Sequence, residues 1–161
     1  MRHFHLDRIT LIEPGVRAIG VRTVALSDDV FTEHFPGNPV LPGVHIVEGL
    51  AQAAGLLLWE SSQHSRIAVM VSIDRARFTS FARPGDSVRL AVDIDSYDEK
   101  VARVRGVATV DERQVAAAAL TFSMQEPESV IPLIYLPYWA HAADVWLGRY
   151  PANTEKSATN D

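Results

Sequence analysis

The spacing of apolar and polar positions changes along this chain, and the changes mark its elements. Residues 7–12 and 16–26 read as two strand-like runs, with Glu13, Pro14 and Gly15 between them as a turn. From 44 to 59 the chain becomes almost wholly apolar or small, with Gly49, Ala51, Ala53, Ala54 and Gly55 in the middle of the run. A helix that is apolar all round is buried on most sides, and its small residues let a sheet approach closely. Four more strand candidates follow at about 67–80, 87–97, 100–111 and 114–125. Breakers separate them at residues 83–86, 97–100 and 111–113. One helix followed by hairpin-linked strands predicts an α+β fold, with an antiparallel sheet wrapped around one long central helix.

The end of the chain divides in two. Residues 152–161 are polar and predict a disordered tail. Residues 130–150 are too apolar for a solvated tail, and 137–147 can form a short helix with Gly148 as its stop. Trp139, Ala143, Trp146 and Tyr150 would share one face of it. The segment is therefore expected to be ordered and buried, as a structural cover in preference to a lid over a site.

Composition narrows the function without identifying it. At 161 residues with 47% hydrophobic content, the chain has one domain's length and enough apolar material for a core. It contains no cysteine, which removes disulfides and a thiol nucleophile. No apolar run reaches the length of a membrane span and the first residues lack the form of a signal peptide, so a cytoplasmic, membrane-free protein is expected. A net charge of -5 argues against a general nucleic-acid binder.

The chemistry concentrates in residues 34–52, HFPGNPVLPGVHIVEGLAQ. Pro36, Pro39 and Pro42 recur every third position and predict a stiff, non-helical loop over 35–42. Pro42 stands where a helix can begin, and Gly43 lets a backbone N–H approach a ligand in a place that favours developing negative charge. His34, an oxyanion position at Gly43 and a carboxylate at Glu48 thus lie within one short stretch. On a helix of about 3.6 residues per turn, His45, Glu48, Gln52, Gly55 and Trp59 form one stripe. An ionisable Glu48 on a buried helix either has a catalytic task or is bonded to Gln52 as architecture.

These residues resemble the signature of the 3-hydroxyacyl-[acyl-carrier-protein] dehydratases of dissociated fatty-acid synthesis. The similarity includes HFPG, Pro39, the Pro42-Gly43-Val44 triplet, Glu48 and Ala51-Gln52. It extends to Asp7-Arg8-Ile9, to the run from Ser72 through Phe78, and to Arg83-Pro84-Gly85-Asp86. The resemblance implies a hotdog fold over 1–128; the apolar extension over 129–151 lies beyond the family's usual core, and its apolar residues imply that it packs on the domain. It also implies dehydration of 3-hydroxyacyl thioesters to trans-2-enoyl thioesters, with His34 as base and Glu48 as acid. Gly43 and Val44 would bind the thioester oxygen and substrate, and Gln52 and His45 would flank the acid. No cofactor is implied beyond the phosphopantetheine of a carrier protein, or coenzyme A, that bears the substrate. The family further implies a homodimer, alone or as a trimer of dimers, in which His34 and Glu48 facing one another come from different subunits.

The N-terminus is short and Ala68-Val69 replaces an aromatic pair common in the family; both changes touch the pocket wall. The extra segment after 128 points to a specialised lipid or polyketide pathway. Arg75 and Arg77 stand at strand spacing, with Arg66 and Arg83 nearby. They form either a solvated face or, with Arg83, the docking patch for an acidic acyl-carrier protein. His3 and His5 alternate like metal ligands but lack a supporting cluster, so no metal site is expected. The alternatives are a hotdog acyl thioesterase, a dehydratase that also isomerises the double bond, or a non-catalytic acyl-carrier-binding subunit.

Overall fold

The computed structural model describes residues 4–149; His3, Tyr150 and the polar tail over 152–161 lie outside that range. Its strands are β1 (Arg8–Glu13), β2 (Arg17–Thr23), β3 (Ile67–Phe78), β4 (Ser87–Tyr97), β5 (Val101–Val110) and β6 (Arg113–Gln125). The long helix α1 spans Gly43–Ser61, and α2 (Pro127–Val130) and α3 (Leu136–Trp146) follow the last strand. Short 3-10 turns at Asp29–Thr32 and Leu133–Tyr135 are elements that the apolar pattern does not signal.

The turns explain the hairpins. Asp111 and Glu112 adopt positive φ angles of 46° and 67° between paired Val110 and Arg113, the backbone of a tight two-residue hairpin turn. At the β4–β5 turn the Asp98 carboxylate accepts the N–H groups of Lys100 and Val101 at 2.8 and 2.9 Å. Those backbone donors hold its carboxyl below the ordinary range.

All six strands form one antiparallel sheet in the order β1-β2-β4-β5-β6-β3. This corrects one expectation. β3 is not the hairpin partner of β4; it crosses to the far edge and pairs with β6. Its sequence suits an edge: Asp74, Arg75 and Arg77 are exposed there, whereas β4, β5 and β6 alternate buried and exposed positions through the middle of the sheet.

The sheet curves around α1, which touches every strand. Leu50, Leu57 and Leu58 of the helix and Val88, Val92, Ala102, Ala108 and Ala116 of the sheet are fully buried. Each large apolar side chain so buried contributes about 1.5–3 kcal/mol. The described core contains no buried charged or polar residue.

The C-terminal segment is helical over Leu136–Trp146 and Gly148 closes it with a φ of 70°. The expectation that the whole segment is buried needs correction. Ala143 and Trp146 are buried and Trp139 and Ala142 partly so, but Leu133, Ile134, Tyr135 and Tyr138 are exposed. The reason is geometric: one side of so short a helix can reach the domain. That side packs on the N-terminal segment, where the Trp146 indole N–H donates to the Leu6 carbonyl at 3.0 Å and the Phe4 ring meets Trp146 edge-on at 4.9 Å. Beyond it, Arg149 grips Glu60 of α1 with two bonds of 2.9 and 2.7 Å.

Arg149 lies beside Glu60 and Asp144, and His64 also bonds Glu60, at 2.9 Å. The Arg149 guanidinium, ahead of His64, holds the Glu60 carboxyl below its ordinary range. A lowered carboxyl pKa adds stability that is complete above the ordinary value of about 4.3 and is lost as pH falls through the lowered one. The chain's three tryptophans, Trp59, Trp139 and Trp146, all stand at this junction. Acidification below about pH 4 should therefore red-shift tryptophan emission before the far-UV circular dichroism changes. Glu60→Gln should show part of that shift at neutral pH. Emission that stays constant until global unfolding would mean the pair does not hold the extension in place.

Candidate active site

The loop after the turn Asp29–Thr32 is fixed by its own backbone. The His34 N–H donates to the Val30 carbonyl and the Val40 N–H to the His34 carbonyl, both at 3.0 Å. Phe35 and Asn38 exchange main-chain bonds of 3.3 and 2.9 Å, and the Leu41 N–H donates to the Ala82 carbonyl at 2.8 Å. Arg83 clamps the same loop from the β3–β4 connection, donating to the Asn38 side-chain oxygen at 2.7 Å. The His34–Phe35 peptide is cis, and the two rings stack with centroids 4.1 Å apart. His34 is thereby held half-buried at the rim of a hollow.

Pro42 caps α1 and Gly43 is its first residue, so the Gly43 N–H is among those with no acceptor inside the helix. The Phe78 ring from the end of β3 lies so close that a Cβ on Gly43 would sit 2.5 Å from a ring carbon. Only glycine fits. His34, Gly43, Val44 and Phe78 line a hollow of about 500 Å³. It holds an imidazole, a group able to take a proton, together with a backbone donor at a helix N-terminus, a place that favours negative charge.

Glu48 lies on the other side. It lines a second hollow of about 390 Å³ with Gln52, Gly55, Trp59 and Trp146. The Gln52 amide N–H donates to Glu48 Oε1 at 3.0 Å, while Gln52 Oε1 accepts the His5 backbone N–H at 2.9 Å. The amide is thus oriented by the main chain, and it orients the carboxyl in turn. The N-terminal segment reaches Gln52 because it crosses α1 at Gly49, where a Cβ would sit 2.6 Å from the His5 carbonyl oxygen.

Within one chain the structure therefore groups His34, Gly43 and Val44 in one hollow and Glu48 and Gln52 in another. His45 lines neither; its ring packs on that of His5 with centroids 4.3 Å apart. Arg75 and Arg77 are exposed on β3. Arg83 is also exposed, but its guanidinium is taken up by the proline loop. Among the described residues no cluster of His, Asp and Glu could hold a metal ion.

Four further residues shape the site and were not singled out for it from the sequence: Phe78 over Gly43, Arg83 on Asn38, the His5 main chain on Gln52, and Trp146 beside Glu48. The last three act through bonds across 45, 47 and 140 positions, a separation at which local periodicity carries no signal. Gly43 and Gly49 were the visible halves of two of these contacts.

Residues 2–119 match the model of the FabA-like domain family. The 3-hydroxyacyl-[acyl-carrier-protein] dehydratase FabZ of Caldanaerobacter subterraneus subsp. tengcongensis is 41% identical over 122 residues, covering 75% of this chain and 86% of that protein. The enzyme of the same name from Bacillus velezensis is 43% identical over the same shares. Among solved structures, smu.793 from Streptococcus mutans bound to acetyl CoA superposes with a TM-score of 0.63 at 19% identity, covering 78% of this chain and 94% of that one. The dehydratase heterocomplex ApeI:P from Xenorhabdus doucetiae gives 0.57 at 19% identity over 73% and 97%. Those two likenesses establish the hotdog fold, and the sequence matches establish more: the chain belongs to the FabA-like family, with the 3-hydroxyacyl-[acyl-carrier-protein] dehydratases as its relatives.

Proposed function

We propose that the protein is a hydro-lyase that converts 3-hydroxyacyl thioesters, presented on an acyl-carrier protein, into trans-2-enoyl thioesters. The observation that carries this reading is the site's division into two complementary halves, in a chain about 40% identical to named dehydratases. His34 takes the C2 proton, and the electron pair moves toward the thioester carbonyl, whose oxygen gains charge against the Gly43 N–H. Such a donor is worth about 3 kcal/mol in acyl chemistry. The pair then forms the C2–C3 double bond as the C3–O bond breaks, and Glu48 protonates the leaving hydroxyl to give water. Gln52 keeps the Glu48 carboxyl aimed, and no cofactor enters the balance.

Both halves must meet one substrate, yet each protomer keeps them in separate hollows. A homodimer resolves this, with His34 of one protomer working beside Glu48 of its partner. Strand β3 supports it: this edge is long and exposes Val71, Ile73 and Phe78, surface that a second copy would cover by extending the sheet. Arg75 and Arg77 stand exposed on the same strand, where an acidic carrier protein can be steered toward the site.

His34→Ala and Glu48→Gln should each lower kcat for dehydration by ~10²–10⁴ without loss of fold. If the sites are shared, mixing the two inactive variants under subunit exchange should restore about a quarter of wild-type activity, because half of the dimers are hybrids and each hybrid has one intact site. A mixture as inactive as its components would place the whole site in one chain. Free acid as the main product, in place of the enoyl thioester, would identify a thioesterase.

Arg75→Glu together with Arg77→Glu should raise KM for a carrier-bound substrate at low salt and leave a small carrier-free thioester unaffected. Equal losses on both substrates would assign these side chains to the fold or the pocket.

A further inference from the structure

The groove beside Glu48 has a wall that the family match does not cover. It runs along α1 from Glu48 past Gln52 and Gly55 to Trp59, a rise of roughly 16 Å for those helical positions. Trp139 and Trp146 of α3, beyond the matched residues 2–119, also line it, and Arg149 just past α3 bonds Glu60, the neighbour of Trp59. These rings are held in place. Trp146 is tied by its N–H to the Leu6 carbonyl, and Trp139 meets it edge-on at 6.5 Å.

Gly55 adds a second observation. A glycine inside a helix weakens it, and most helical glycines of this kind exist to admit a close neighbour. Gly55 admits none: nothing lies within 4 Å of where its Cβ would stand, and the position opens into the groove. The space itself is what the glycine provides. Past Glu48 and Gln52 the lining carries no further charge or amide, and the Trp139 indole N–H is its one buried donor without a partner among the described residues, so the occupant of this end is mainly hydrocarbon.

We infer that the C-terminal extension forms the end wall of the acyl groove, with Trp139 and Gly55 as specificity-determining residues that set the longest aliphatic acyl chain the groove admits. The inference rests on the dehydratase reading in taking Glu48 as the reacting end of the groove. It reverses the expectation that the extension only covers the domain. Structural cover and pocket wall are here the same element, because α3 packs where the N-terminal segment and the open stripe of α1 meet.

Binding of saturated, unreactive acyl-coenzyme A thioesters tests this apart from catalysis. Butyryl, tetradecanoyl and octadecanoyl thioesters are titrated calorimetrically into the wild-type protein, Trp139→Ala and Gly55→Leu, each verified as folded by circular dichroism. The wild type should bind tetradecanoyl most tightly. Trp139→Ala should improve octadecanoyl relative to tetradecanoyl by about tenfold or more, the factor that a methylene or more carries in an apolar pocket. Gly55→Leu should weaken tetradecanoyl relative to butyryl by a similar factor, and it stays informative if Trp139→Ala fails to fold. One length profile shared by all the folded proteins would overturn the inference, as would a wild type indifferent to chain length. If the profiles shift as expected but 3-hydroxyacyl thioesters of the same lengths lose no water, the wall stands and the dehydratase reading fails.

Discussion

The sheet closes on α1 so tightly that a Cβ on Gly106 of β5 would lie 3.0 Å from both methyl groups of Leu50. A contact of that kind is tighter than an ordinary Cβ makes, so the buried Leu50 would have to give by a few tenths of an ångström for any side chain there. With the strands wrapped at this distance, Leu50, Ala53, Ala54, Leu57 and Leu58 are sealed. What remains open is the stripe the sheet does not reach, carrying Glu48, Gln52 and Gly55. The site is the uncovered side of an otherwise buried helix. Polar side chains are tolerable there because they face a hollow and not the core.

The same helix orders the chemistry along its axis. Its N-terminus, entered from a loop that prolines and Arg83 keep rigid, presents Gly43 beside His34. One and a half turns on, Glu48 faces the other hollow, aimed by Gln52, which the His5 main chain aims in turn. The N-terminal segment that supplies His5 is itself held by Trp146 through the Leu6 carbonyl. The segments before β1 and after β6 therefore converge on the Glu48 hollow, and neither lines the hollow of His34.

Separation of the two halves is also what gives the exposed edge its meaning. An edge strand as long as β3 is a liability unless something pairs with it. Its polar residues keep it soluble at intervals, yet Val71, Ile73 and Phe78 are too apolar for a surface meant only for water. Phe78 links this edge to the site directly, because its ring lies against Gly43 at the start of α1.

Much of this was written in local sequence. The change of period gave six strands and one buried helix within a few residues of their observed ends, because strand alternation and an all-apolar helical run are properties of adjacent residues. The proline spacing, the glycine after Pro42 and the stripe from Glu48 to Trp59 were legible for the same reason, and so was the helix ending before Gly148. The order of strands was not, since β3 reaches the far edge through pairing with β6, and pairing is a contact between distant segments. His45 shared a helical stripe with Glu48, yet the His5 ring claims it and leaves it outside both hollows. Arg83 read as a surface cation until the loop's fold placed Asn38 within its reach. The extension's hydrophobicity announced that it must pack somewhere, but only the three-dimensional path of the N-terminal segment decided where. Sequence determines what each stretch can form and which groups it can offer; the distances that make those groups a site arise when remote stretches meet.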